Sequence, residues 1–204
     1  MAKVKFTKTE LRIQQLRLTQ LKRYLPTLLL KKAMLQMEVN QAESEIDQLE
    51  LEFKNVESRI QNFAPLFSGR GISELLSSVK VKEIRCQFEN IAGIDVPIYE
   101  KTFFEGPSYF FFDSPVWLEP AIDKVGDLIV AREKRKIVEE KKRLLAKELR
   151  DVSIRVNLFE KILIPRAEEN IKRIKIFLGD QQLTAVSQAK VSKKKIYLRE
   201  AYRQ

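Results

Sequence analysis

The sequence lacks histidine altogether and has one cysteine, Cys86, among its 204 residues. Without histidine there is no Ser–His or Cys–His nucleophile and no histidine ligand for a metal ion. The run Gly69-Arg70-Gly71 lacks both the spacing and the lysine–hydroxyl pair of a phosphate-binding loop. We therefore expect no catalytic residue, no metal site, no cofactor and no enzyme activity. Cys86 cannot form an internal disulfide, which is typical of proteins from reducing compartments.

Glycine, proline and long apolar runs are also scarce. Six glycines and seven prolines are few for a chain of strands and loops, whereas 44% hydrophobic and 32% charged residues are typical of long helices. No segment approaches the ~20 apolar residues of a membrane span. Residues 1–9 are basic and polar, without the apolar centre of a signal peptide. The composition predicts a soluble, mainly α protein with no direct membrane insertion.

Apolar residues recur at alternating steps of three and four along the first third of the chain. Only Gln14 and Lys32 are polar among sixteen such positions, whereas a chain that is 44% hydrophobic fills about seven by chance. This heptad pattern predicts a coiled-coil helix about 80 Å long, at ~1.5 Å per residue. Such a helix needs a partner helix along its length. The positions are Leu11, Gln14, Leu18, Leu21, Leu25, Leu28, Lys32, Leu35, Val39, Ala42, Ile46, Leu49, Phe53, Val56, Ile60 and Phe63.

The later chain supplies a partner with the same spacing, interrupted by a slip of one residue beside Pro165. We expect a kink there, as at Pro26 in the first helix. The partner helix starts after an N-cap signal at Ser114-Pro115 or at Pro120. A period near 3.5 predicts a left-handed supercoil of two antiparallel helices. Its stripe is Leu145, Leu149, Val152, Val156, Phe159 and Leu163, then Ile164, Ala167, Ile171, Ile174 and Leu178.

The segment between the two long helices has a different pattern. Residues 72–79 have the pattern of a short helix. Alternation at Ile84, Cys86 and Phe88 predicts a half-buried strand, and Gly93 separates it from a second extended stretch, which predicts a β-hairpin. We predict a small head at residues 64–119 and an antiparallel coiled-coil shaft formed by residues 1–63 and 120–204.

Charge is unevenly distributed in a chain with a formal net charge of +10. Both chain ends are basic, and antiparallel pairing is expected to bring them together as one basic tip. A solvated surface and a docking surface for an acidic or polar partner are both open interpretations. The acidic run 38–57 and the basic run 132–143 are expected to pair across the two helices and to fix their register.

Seven aromatic residues lie within the fifteen residues 103–117 of the predicted head. One interpretation is that they form the core of the head. The other is that they form a surface for a partner, because a head of some fifty residues buries so many rings with difficulty. The residues expected to dock a partner are Phe104, Phe110, Phe111, Phe112 and Trp117.

Three segments resemble the D subunits of V/A-type rotary ATPases. The first is Thr7 to Leu11 followed by residues 23–28 and 31–32, and the second is Glu89 to Pro97 in the hairpin. The third is Val156 to Lys161 followed by residues 164–166, 169–174, 177–178 and 189–190. The resemblance spans nearly the whole chain, and the combination of segments is specific. The segment 102–115 matches the family less well. The short end after the last basic cluster is similar to the prokaryotic form.

The resemblance implies a non-catalytic central stalk that couples ATP hydrolysis or synthesis to rotation of a membrane ion-translocating ring. Its implied partners are the hexamer of catalytic A and B subunits, the small F subunit of the stalk and a collar subunit on the ring. Its implied location is the cytoplasmic face of the membrane. The residues expected at or near the hexamer are Thr9, Arg12, Lys190, Lys193 and Lys194.

Two alternatives remain open from the residues alone. A nucleic-acid-binding coiled coil explains the basic ends, but these lack interleaved aromatic residues and any known base-reading motif. A passive scaffolding coiled coil explains the heptads but gives no reason for a head that contains strands.

Overall fold

The computed structural model describes residues 5–61, 65, 71–106 and 114–201. These residues form α1 (Lys8–Gln61), α2 (Ile72–Ser78), β1 (Val81–Ile91), β2 (Ile94–Phe104), α3 (Leu118–Leu158), a π-helical turn (Phe159–Leu163) and α4 (Ile164–Ala201). The described residues are mainly helical, with one small antiparallel hairpin, which confirms the predicted fold class.

Helix α1 begins where the sequence supplies a cap. The backbone N–H of Glu10 donates to Thr7 Oγ1 at 3.2 Å, and the N–H of Leu11 donates to the Thr7 carbonyl at 3.0 Å. These bonds satisfy backbone donors that the first helical turn otherwise leaves unpaired. The helix then continues through Pro26 to Gln61.

The predicted apolar stripe is the side of α1 that is covered. Each of its fifteen described positions is buried or half-buried, and Leu35 and Ala42 are fully inaccessible. The predicted stripe of α3 and α4 behaves in the same way, with Leu145 and Ile174 fully inaccessible. The heptad spacing therefore identified the buried side of both helices; Phe63 lies outside the described residues.

The chain divides into two compact units, and the helices run antiparallel within each. One unit is Met1–Leu30 with Val152–Gln204, where Lys22 Nζ lies 2.7 Å from Glu168 Oε1. The other is Lys31–Asp151, where Lys31 Nζ lies 2.9 Å from Glu148 Oε1. The predicted limits of shaft and head stay a prediction.

The one-residue slip in the stripe coincides with the π-helical turn. The N–H of Ile164 donates to the carbonyl of Phe159, five residues back instead of four. A π-helical turn holds one residue more than an α-helical turn, so the stripe returns to the same side of the helix after the slip. The irregularity expected beside Pro165 is thus a π-helical turn.

Helix α3 begins at Leu118, between the two predicted starts. The N–H of Leu118 donates to the carbonyl of Pro115 at 2.9 Å, which closes a tight turn before the helix. Pro120 lies in the first helical turn, where a missing N–H leaves no intrahelical bond unmade. Both starts, at Ser114-Pro115 and at Pro120, were wrong by a few residues.

The predicted short helix is present as α2, and it packs on the beginning of α3. Leu75 and Val79 of this segment form a buried cluster with Leu118 and Ala121, and Trp117 packs against that cluster. Gly71 precedes α2 with φ of +106°, a conformation that side chains with a Cβ rarely adopt. This small core joins α2 to the start of the returning helix.

The predicted β-hairpin is present, and its strands are longer than expected. Ile91 pairs with Ile94 around a two-residue turn, in which Ala92 and Gly93 have φ of 51° and 85°. Two positive φ values are typical of a type I′ turn, whose twist matches that of the strands. Asn90 supports the turn, because its Oδ1 accepts the N–H of Gly93 at 3.1 Å.

Replacing Gly71 with alanine is expected to lower the free energy of unfolding by about 1–2 kcal/mol, because φ stays positive. The new Cβ would also lie 3.4 Å from Pro115 Cγ and 3.5 Å from Trp117 Cζ2. Gly179→Ala is the control, since a Cβ there meets nothing within 4 Å. This second change is expected to stabilise α4 by about 0.5–1 kcal/mol. Urea denaturation measures the stability of both variants. Equal stability of Gly71→Ala and the unsubstituted chain would contradict the positive φ assigned to Gly71.

Candidate functional site

The C-terminal part of α4 is the most accessible helical surface of its unit. Every described side chain from Asp180 to Leu198 is exposed, so none of these residues is buried against another described helix. Lys190, Lys193 and Lys194 lie here, and the Nζ of Lys193 lies 5.6 Å from the centre of the Tyr197 ring. Several exposed apolar residues accompany them: Leu183, Val186, Val191, Ile196 and Leu198. Cations mixed with accessible apolar side chains are typical of a surface that binds another protein.

Thr9 and Arg12 are exposed as well, but they lie beside a different part of α4. The rings of Phe6 and Phe177 are 5.1 Å apart, so the beginning of α1 lies beside Phe177. Lys190 follows Phe177 by thirteen residues of α4, about 20 Å at ~1.5 Å per residue. Antiparallel pairing therefore brings both chain ends into one unit, as expected, but the two basic runs do not meet. Contact of these five residues with a partner stays a prediction.

The expected pairing between the acidic run of α1 and the basic run of α3 is present at two lysines. Lys142 Nζ lies 3.1 Å from Glu43 Oε1, and Lys141 Nζ lies 3.9 Å from Glu45 Oε2. These pairs join opposite charges across the two helices at a fixed level. Because Glu43 and Glu45 are about half exposed, each pair stabilises the unit by only a few tenths of a kcal/mol.

Other cations of the same basic run pair with carboxylates of their own helix. Lys136 Nζ lies 2.7 Å from Glu133 Oε1, and Arg143 donates a 2.6 Å hydrogen bond to Glu140. That bond and the charge of Glu140 raise the pKa of Arg143. Arginine is already charged at physiological pH, so no pH-dependent change of charge follows. The basic run of α3 is largely neutralised by its neighbours, which weighs against a nucleic-acid surface.

The aromatic residues expected to dock a partner fall into two groups. Phe110, Phe111 and Phe112 lie outside the described residues. Phe104 and Trp117 are half-buried, and both pack within their unit: a Cβ on Gly126 would lie 3.9 Å from Phe104 Cζ, and Trp117 packs on the α2 cluster. The core interpretation is therefore supported for these two rings. Docking stays a prediction.

Phe88 is an accessible aromatic residue whose exposure the alternating pattern did not indicate. Its alternation with Ile84 and Cys86 predicted a half-buried ring, but 69% of the residue is exposed, whereas Ile84 and Cys86 are half-buried. Phe88 pairs with Pro97 on β2, near the free end of the hairpin. A two-stranded hairpin covers only part of its surface, so alternation alone does not determine which side chains are buried.

One concave surface of the described residues is a groove between elements. This groove of about 390 Å³ lies between α1, β2 and α3, with Leu49, Ile98 and Val138 among its lining residues. Charged residues of both signs line it too: Glu45, Glu52, Lys134 and Lys141. Among the described residues no group of three or more Cys, Asp or Glu side chains is placed to hold a metal ion. No described helix is long and apolar enough to cross a membrane.

The geometry is that of a helical-pair protein with accessible surfaces for partners, and comparison with known proteins identifies the family. The family model for the D subunit of ATP synthase matches residues 10–194. The V-type ATP synthase D subunit of Chlamydia pneumoniae is 40% identical over 199 residues, 97% of this chain and 95% of that protein.

Two further relatives have the same name. That of Chlamydia abortus is 38% identical over 199 residues, 97% of this chain and 96% of the relative. That of Borreliella burgdorferi is 39% identical over 193 residues, 95% of each protein. The chain therefore belongs to the family of ATP synthase D subunits, which confirms the resemblance noted from its motifs.

Limited trypsin digestion of the isolated chain is expected to cleave after Lys190, Lys193 and Lys194 before Lys172 and Lys175. All five lysines are exposed, but Lys172 and Lys175 lie on a stretch whose opposite side is buried through Ile171 and Ile174. A helical stretch without packing opens locally at low free-energy cost. Mass spectrometry of early fragments measures the order, and simultaneous cleavage at both groups would contradict this interpretation.

Proposed function

We propose that this chain is the central stalk of a V/A-type rotary ATPase, where it transmits torque and catalyses no reaction. The observation that supports this most is the continuous apolar stripe on α1, buried along its described length by antiparallel helices, together with a helix end left fully exposed. A pair of packed helices resists bending and twisting better than a single helix does. The exposed end of α4 is free to contact a surrounding partner.

The mechanism follows from a difference in symmetry between shaft and catalytic head. The hexamer of A and B subunits has three catalytic interfaces around one shaft, and two antiparallel helices have no threefold axis. Each interface therefore meets a different side of the shaft and is biased toward a different nucleotide state. Hydrolysis changes these states in turn, and the differences in contact free energy drive the shaft round. When the membrane ring turns the shaft, the same contacts drive synthesis.

The two kinds of accessible surface suit different partners. The basic and apolar end of α4 suits the cavity of the A/B hexamer, whereas the hairpin and the groove beside α1 and α3 suit the small F subunit. The unit that contains α2 and the hairpin also joins the collar subunit. In this assembly the chain lies on the cytoplasmic face of the membrane and is attached to it through the collar and ring.

Replacing Lys190, Lys193 and Lys194 with glutamine is expected to weaken binding to the A/B hexamer by at least about tenfold and to lower stalk-dependent ATPase activity. The matched control replaces Lys161, Lys172 and Lys175 with glutamine; these lysines are also exposed, and the change removes the same charge. Thermal unfolding should be unchanged in both. Equal binding by the two variants, measured by co-sedimentation, would remove the basic end from the hexamer interface.

Phe88→Ala is expected to leave the free energy of unfolding within about 0.5 kcal/mol of its original value, because the residue is 69% exposed. The same change should weaken binding of the F subunit, since an accessible ring is a frequent centre of binding energy. Leu75→Ala is the contrasting variant, because Leu75 is buried and its loss destabilises the fold. Calorimetric titration with the F subunit decides, and unchanged affinity of Phe88→Ala would exclude this ring from the interface.

A nucleic-acid-binding function predicts a different result in the same preparations. It requires affinity for duplex DNA or RNA that falls steeply with salt, with a slope of about −0.9 per phosphate contact. The stalk function requires binding to the A/B hexamer and none of this duplex affinity. Fluorescence anisotropy with a labelled duplex separates the two.

A further inference from the structure

The helix formed by α3, the π-helical turn and α4 contains one residue more at Leu163 and Ile164 than a continuous heptad repeat allows. Leu163 and Ile164 are neighbours in sequence, and both are stripe positions. Val156 before them and Ala167 after them are 2% and 4% exposed. One extra residue rotates the following part of an α-helix by about 100°. A continuous heptad repeat would place residue 166, and not Ala167, in the stripe after Leu163.

The turn Phe159–Leu163 absorbs this residue. The N–H of Ile164 reaches the carbonyl of Phe159, and the wider turn restores the direction of the side chains that follow. None of the five residues of the turn is buried. Packing thus holds the helix firmly before and after the turn, but only weakly within it.

Pro165 follows directly and interrupts the same hydrogen-bond ladder. Proline has no N–H, and in a regular α-helix its ring clashes with the carbonyl four residues earlier, here that of Lys161. The extra residue and the proline therefore act at one place. Both reduce the number of regular hydrogen bonds that resist twisting there.

We propose that the π-helical turn at Phe159–Leu163 is a compliant joint, at which this helix twists and bends more readily than in the α-helical stretches on either side. The packed stripe on both sides transmits load to the turn, and the turn takes up the deformation. The use of this joint rests on the proposed function. Partners that bind a rotating shaft at separate places and move in separate steps twist the shaft between them, and the joint takes up that twist.

The first test compares two deletions of one exposed lysine each, both made together with Pro165→Ala. Deletion of Lys161 closes the slip, so that Val156, Phe159, Ile164, Ala167 and Ile171 follow regular steps of three and four. Deletion of Lys172 moves Ile174 and Leu178 out of the stripe. If the π-helical turn becomes α-helical instead, Ala167 and Ile171 leave the stripe. The Lys161 deletion should melt within about 2 °C of the Pro165→Ala chain or above it, and the Lys172 deletion about 10 °C lower. Equal losses in both would overturn the proposal.

Hydrogen exchange measures the compliance directly in the full chain. Amides of residues 160–166 should exchange at least about fivefold faster than those of residues 152–157 and 168–174. In the Lys161 deletion with Pro165→Ala this difference should disappear. Equal protection across all three segments of the original chain would overturn the proposal, and so would a difference that persists in the deletion variant.

The assembled complex tests the purpose of the joint. The Lys161 deletion with Pro165→Ala should bind the A/B hexamer as Pro165→Ala does, but with a lower rate of stalk-coupled ATP hydrolysis. Full coupled activity in a bound, stable variant would show that the shaft does not use the joint. If the original chain itself does not bind the hexamer, the proposed function fails, while melting and exchange still decide whether the joint exists.

Discussion

A single apolar stripe along the 54 residues of α1 requires a second helix beside it. No loop or hairpin covers a stripe of that length, because each residue of helix adds only ~1.5 Å and the apolar side chains recur along the whole of it. The rest of the sequence follows from this requirement. The returning helix has the matching stripe, and most charged residues lie on the sides that the pairing leaves in water. The short α2 and the hairpin occupy the chain between the two long helices.

Apolar burial determines how the helices pair more than charge does. Leu35, Ala42, Leu145 and Val152 are almost completely inaccessible, and burying a large aliphatic side chain stabilises a fold by about 1.5–3 kcal/mol. The ion pairs across the helices are mostly half exposed, so each contributes a small fraction of that. Lys31 and Glu148 form one of the more enclosed pairs, with side chains 33% and 28% exposed. These pairs favour one register of the two helices over a register shifted by one heptad.

The sequence predicted best those features that repeat or that need a special residue. The stripes were predictable because each heptad position gives the same signal, and the hairpin turn because Gly93 tolerates the required positive φ. The slip at Leu163 and Ile164 gave the position of the irregular turn but not its form, since proline and an extra residue permit several distortions. The exposure of Phe88 and the first residue of α3 were not predictable, because each depends on contacts made by a single short element. The distance along the helices between Arg12 and Lys190 depends on where the two helices stop packing against each other. The positions of basic residues do not indicate that point.

The narrowness of the stripe leaves most positions of the long helices free to change. Between Leu11 and Leu28 of α1 only two residues of each heptad are covered. Substitutions at the exposed positions there alter solubility, charge or partner contacts while leaving the packing between the helices intact. Selection on the fold therefore acts on a small, evenly spaced minority of the sequence. Relatives that are 38–40% identical over nearly the whole chain differ from it at most positions, as such tolerance allows.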